Sequence, residues 1–292
     1  MKQQKKKSHS ILAFVPPNNE GKLVLKEAMF FQKKLGMHLY IINVVEAPSF
    51  YARKFLAEKV FDTRMQALQE LNSFIKTALG SEIPENISVD IAEGDIASTL
   101  IRESKQGGHQ FILIDKSKNQ YPGSLNKTQI DELVSKSKCP VLTVDKDSGI
   151  SNIHNIIIPI DISQSTKKRL LWAAMFAQKF GAKITVLSAL NANITKQKSL
   201  AYENAKRIRH LLWSYNIDCE IKVLKVHQQD KHRVILDYIK EHDSGLVIIR
   251  THQDLLFANT KIGEFVSEIV HGCKQPVFSV NYTPNPLQSL VP

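Results

Sequence analysis

Apolar residues along this chain gather into short runs separated by stretches with helical spacing, and the whole pattern is written twice. In the first half, runs over 11–15, 39–45, 111–114 and 141–144, with the alternating Ile87, Val89 and Ile91, predict five strands. Continuous apolar runs of this length fit a parallel sheet covered on both faces. Between them, Leu25, Ala28, Met29 and Gln32 predict a helix over 22–35 that Gly36 stops. Leu68, Leu71, Ile75 and Leu79 form one stripe of a helix over 50–79, and helices over 96–105 and 128–137 complete the set. The second half predicts strands over 156–160, 184–187, 217–226, 246–249 and 277–280, with helices near 166–180, 197–214, 231–242 and 262–271. Strands alternating with helices in this way imply an α/β fold: an open, doubly wound parallel sheet in each half.

The two halves also match in detail. Leu35-Gly36 and Phe180-Gly181 close equivalent helices, and Cys139-Pro140-Val141-Leu142-Thr143-Val144 echoes Gln275-Pro276-Val277-Phe278-Ser279-Val280. The repeat divides 292 residues into a basic tail (1–10), a first domain (11–146), a polar linker (147–154), a second domain (155–281) and a proline-bearing tail (282–292).

Composition adds limits. Hydrophobic content of 43% and charged content of 23% are ordinary for globular domains. No apolar run reaches the roughly 20 residues of a membrane span. The opening MKQQKKKSHS lacks a signal-peptide apolar region, so a cytoplasmic protein is expected. Three cysteines without a CxxC pair predict buried thiols rather than disulfides or zinc. The net charge of +11 divides unevenly. Residues 1–150 carry 21 basic and 17 acidic side chains, four of the basic ones in the tail; the remainder carries 18 against 11. The basic excess of the second half could attract nucleotides, nucleic acid or anionic membrane.

In such a sheet, ligands bind beyond the carboxyl ends of the strands, where strand order reverses. The residues at those ends carry a resemblance. The duplicated plan, the Pro-Val-Leu-x-Val closing strand and Pro159-Ile160-Asp161 after the second half's first strand resemble the universal stress protein family in its tandem form. The resemblance implies two flavodoxin-like, Rossmann-like domains, each with a five-stranded parallel sheet. It also implies an intrachain pseudo-dimer or a homodimer, with Val141 to Val144 and Val277 to Val280 as the strands to suspect at an interface.

The family's ATP-binding branch has an Asp after strand one and G-x2-G-x9-G-[ST] after strand four. Glycines there let backbone approach the phosphates at a helix N-terminus. The second half keeps Asp161 but has Arg250 and Gln253 at the first two glycine positions; Gly263 stands at the third, followed by Glu264 instead of Ser/Thr. A carboxylate there suits the helix dipole and repels phosphate. In the first half Pro16 replaces the Asp, Asp115-Lys116-Ser117-Lys118 begins the strand-four loop, and Gly94-Asp95 is the one local likeness. The tentative nucleotide-binding set is therefore Asp161, Ser163, Arg250, Gln253, Gly263 and Glu264, all in the second domain.

Other features have plainer readings beside functional ones. Ser163, Ser165 and Thr166 are helix caps first. Lys167-Lys168-Arg169 oppose the helix dipole, which suits an anion site, although a solvated face is the simpler reading. Trp172, Phe176 and Phe180 form a core stripe, and Trp213 and Tyr215 are packing or interface residues. The histidines have no metal-ligand spacing, and no catalytic motif stands out. The expected function is non-enzymatic and stress-associated, with ATP as the ligand to test and no metal. The alternatives are a scaffold that acts through a protein partner or another small ligand and, less favoured, a nucleic-acid binder using the basic second domain.

Overall fold

The computed structural model of the chain describes residues 9–47, 57–117, 123–146, 153–160, 167–191, 199–226, 230–242, 245–251 and 262–280. The chain divides into two compact units, Met1–Lys146 and Asp147–Pro292. The first contains β1 (Ser10–Phe14), α1 (Asn19–Leu35), β2 (His38–Val45), α2 (Ala57–Leu79), β3 (Ile87–Glu93), α3 (Ile96–Gln106), β4 (Phe111–Asp115), α4 (Lys127–Lys136) and β5 (Val141–Val144). Its strands lie in the order β3-β2-β1-β4-β5, all parallel.

The second unit contains β6 (Asn155–Pro159), α5 (Lys167–Phe180), β7 (Lys183–Asn191), α6 (Leu200–Ser214), β8 (Cys219–Val226), α7 (Lys231–Glu241), β9 (Leu246–Arg250), α8 (Glu264–Gly272) and β10 (Val277–Val280). Its order, β8-β7-β6-β9-β10, is the same and again parallel. Each unit is thus an α/β doubly wound sheet of flavodoxin-like order whose strand direction of growth reverses between its first and fourth strands.

The repeat extends to single hydrogen bonds. Val15 N–H donates to the Ile42 carbonyl, and Ile160 N–H to that of Leu187. At the fourth strand, Asp115 pairs with Val144 and Arg250 with Val280. Lys116 N–H then donates to the Val144 carbonyl and Thr251 N–H to that of Val280. Asp115 and Arg250 therefore stand at the same place in the two copies.

Local sequence explains the elements around these positions. Asn18 caps α1 by accepting from Gly21 N–H at 2.9 Å. The helix ends where Gly36 enters the left-handed region at φ 68°, and Gly181 takes the same φ after α5. The shared Lys-apolar-Gly endings are this stop, which a side chain would strain. The buried face of α1 is Val24, Leu25, Ala28 and Phe31; Phe31 meets Phe111 of β4 edge-on at 6.1 Å. In the second unit Trp172 and Phe176 both pack on Phe278 of β10 with ring centroids 5.0 Å away.

Several boundaries differ from the sequence expectation. The first helix begins three residues earlier, at Asn19, because the Asn18 cap lies upstream of the apolar stripe. β7 extends to Asn191 and pairs with β8 over eight residues, although its end is less apolar than its start. The part of the 50–79 helix before Ala57 lies outside the described residues, as do most of the linker and both tails. Trp172 and Phe176 are buried as a core stripe should be. Trp213 and Tyr215 are 56% and 43% exposed, so they are not core packing; Arg209 lies 4.9 Å over the Trp213 ring instead. The three cysteines are buried and none is in a disulfide. Burial pushes the Cys219 thiol up to about 11, away from reactivity. No helix among the described residues is long and apolar enough to cross a membrane.

Candidate functional site

The crevice of the second unit lies at the carboxyl ends of β6 and β9. Parallel topology brings the N-termini of α5 and α8 to this end of the sheet. β9 ends on Arg250, half-buried at the rim. α5 brings in Arg169, whose side chain is not on the solvated face that its neighbours in sequence suggested. Arg169 is 4% exposed. Its Nη1 donates to the Pro159 carbonyl at 3.0 Å, while Nε and Nη2 are buried with no hydrogen-bond partner among the described residues. Burial and then the Arg250 charge push its guanidinium down to about 10, which still leaves it cationic at neutral pH.

Two like charges in one crevice repel, and a buried guanidinium with unused donors is costly. A fork of N–H donors of this kind matches the oxygens of a phosphate or carboxylate. Thr251, next to Arg250, adds a buried hydroxyl that also lacks a partner among the described residues. These donors are the kind that an anion's oxygens accept from.

Of the six residues proposed from sequence, Arg250, Gly263 and Glu264 are described, while Asp161, Ser163 and Gln253 lie outside the described residues. Gly263 caps α8 with no side-chain hydrogen bond, and a Cβ built there meets nothing within 4 Å. Among the described residues, nothing occupies the space over that helix start. Glu264 is exposed, so solvent weakens its repulsion of an anion. Arg250 is brought together with Arg169, for which the sequence left open an anion site or a solvated face; the side chain is buried, and the conflict of three bases with the dipole of one helical turn was the signal for the first. Among the described residues no group of three or more His, Cys, Asp or Glu could hold a metal. His232 instead stacks on Phe265 at 4.3 Å.

The same position in the first unit has the opposite charge. Asp115 ends β4, and Ser117 Oγ donates to its Oδ1 at 2.7 Å. Burial is the main cause that pushes Asp115 up to about 6; Glu20 and Asp145 add to it. The Pro16 carbonyl lies so close to α1 that a Cβ on Gly21 would collide with its oxygen. The loop after β1 is therefore packed down on the helix start, and nearby carboxylates would repel phosphate.

A family model described as the universal stress protein family matches residues 152–281. Residues 152–281 belong to the universal stress protein family. Solved structures extend the likeness in fold to both halves. A universal stress protein from Archaeoglobus fulgidus DSM 4304 is 14% identical, covers 95% of this chain and 98% of its own, and superposes with a TM-score of 0.65. A functionally unknown protein from Pseudomonas aeruginosa PAO1 is 16% identical over 96% of this chain and 95% of its own, with a TM-score of 0.58. The cytoplasmic domain of a prokaryotic cation chloride cotransporter is 12% identical over 97% and 99%, with a TM-score of 0.54. No curated protein matches the chain in sequence. At these identities the structures show a shared fold alone, and since one of them is a domain of a cotransporter, the fold does not select a function.

Proposed function

We propose that the chain is a non-enzymatic, stress-type binding protein whose second domain takes a phosphate-bearing ligand, with ATP the first to test. One observation carries the reading: Arg169 is buried beside Arg250 with Nε and Nη2 unpartnered among the described residues. An oxyanion accepting from these donors would offset both the desolvation and the mutual repulsion of the pair. Arg250 stands where the family's ATP-binding pattern has its first glycine, so side-chain guanidinium would replace part of the backbone cradle. Asp161 and Ser163, which precede α5 in the sequence, and Gln253, three residues after Arg250, are proposed to border the same ligand. Gly263 would give access to the N-terminal N–H groups of α8.

Binding would stabilise the second unit and so couple ligand level to the population of a partner-competent state. The scaffold reading applies better to the first domain, where Pro16 packs onto Gly21 and Asp115 replaces Arg250. A thermal-shift series with ATP, ADP, AMP and inorganic phosphate tests the proposal. Shifts that grow with phosphate content, and vanish in Arg250→Ala, are expected. A flat series would remove the phosphate ligand.

A further inference from the structure

The first unit holds a second crevice, at the carboxyl ends of β1 and β4. Its small cavity, about 10 Å³, is lined by Phe14, Pro16, Glu20, Asp115, Ser124 and Leu125. That is room for one water-sized group. Glu20 comes from the first turn of α1 and is only 7% exposed. Its Oε2 accepts from Ser124 Oγ, while Oε1 is buried and has no hydrogen-bond partner among the described residues. A buried carboxylate oxygen without a donor is as unusual as a buried guanidinium without an acceptor. Asp115 presents a second carboxyl group to the same cavity.

We propose that this crevice binds the ammonium group of a small primary amine, with Glu20 and Asp115 as its carboxylate partners. The chemistry of the walls selects this class. An ammonium has three N–H donors and no acceptor, which suits Glu20 Oε1, the Asp115 carboxylate and Ser124 Oγ. It is close to a water in size. Phe14, Pro16 and Leu125 form the rest of the lining, against which a short alkyl stem can pack. A bare divalent ion fits less well, since no group of three or more metal-ligating side chains occurs among the described residues. Phosphate is repelled by both acids. The duplicated crevices of this chain would thus select ligands of opposite charge, through Asp115 in one and Arg250 in the other.

The test uses the full chain and two probes, methylammonium chloride and tetramethylammonium chloride. The second carries the same charge but has no N–H donor and is too large for the cavity. At pH 7.5 methylammonium is expected to raise the melting temperature of the first unit, and tetramethylammonium is not. Glu20→Gln and Asp115→Asn should each weaken methylammonium at least tenfold, and Arg250→Ala should leave it unchanged. The wild-type effect should also fade as pH falls through about 6, where Asp115 takes up a proton. Around that carboxyl stand Glu20 from α1, Asp145 after β5 and Ser117 in its own loop, with the buried Lys116 next in the chain. Equal shifts from the two probes, no shift from either, or a methylammonium shift that survives both variants would overturn the proposal. The wild-type probe comparison stands even if a variant fails to fold, and none of these results bears on the anion site of the second domain.

Discussion

Arg169→Met should make the ligand-free protein more stable, not less. Burial, and after it the Arg250 charge, push the guanidinium from its ordinary value down to about 10, which corresponds to a cost of about 3 kcal/mol for holding the charge there. Methionine keeps the length and apolar stem of the side chain and fills irregular space well. The change also removes the 3.0 Å hydrogen bond to the Pro159 carbonyl, worth about 1 kcal/mol. The net gain is about 2 kcal/mol, or roughly 6–8 °C in the melting of a unit of this size. With ligand present the wild type recovers: at a hundredfold excess over Kd, linkage contributes about 2.7 kcal/mol, and the variant gains none of it. Differential scanning calorimetry with and without ATP reads both effects on the transition of the second unit. A variant that melts below wild type in the absence of ligand would mean that Arg169 is already satisfied by its own chain and that no anion is needed there.

Other positions give independent checks. Glu27, buried on α1, is pushed up to about 7 by desolvation, so the fold binds its proton more tightly than the unfolded chain does. Its contribution is present below about pH 4.5 and is lost as pH rises through about 7; Glu27→Gln should therefore flatten a melting-versus-pH series and gain about 1–3 kcal/mol at pH 8. Gly21→Ala drives a methyl group into the Pro16 carbonyl and should cost about 2 kcal/mol or more in urea unfolding, since both atoms belong to the backbone framework. Gly36→Ala and Gly181→Ala meet no atoms within 4 Å and share a φ of 68°, so each should cost only the left-handed backbone penalty, about 1 kcal/mol, in its own unit.

Much of the fold could be read from the chain because its determinants are local and repeated. The apolar runs gave the strands, and Gly36 and Gly181 marked equivalent helix ends. The family's residues at the end of the first and fourth strands directed attention to the carboxyl ends of the strands, where Arg169, Arg250 and Asp115 stand. The charge of the crevices was harder to read. Arg169 lies beside Lys167 and Lys168, and one basic run says nothing about which member turns inward; packing of α5 on the sheet decides it. Glu20 looks like any acid in a first helical turn, where the dipole alone accounts for it. Only its burial and its unpartnered oxygen separate it from a solvated one. The correspondence of Asp115 with Arg250 was within reach of the sequence, since both follow the fourth apolar run. Its meaning needed the strand register that places them at one point of two equivalent sheets.

Arg169 and Arg250 are proposed to form an anion site in the second domain. Calorimetric titration of nucleotide-free protein with ATP, with and without magnesium, tests it most directly. The account predicts one site per chain, lost in both Arg169→Met and Arg250→Ala. Absence of heat together with absence of a thermal shift, or binding unchanged in both variants, would contradict it.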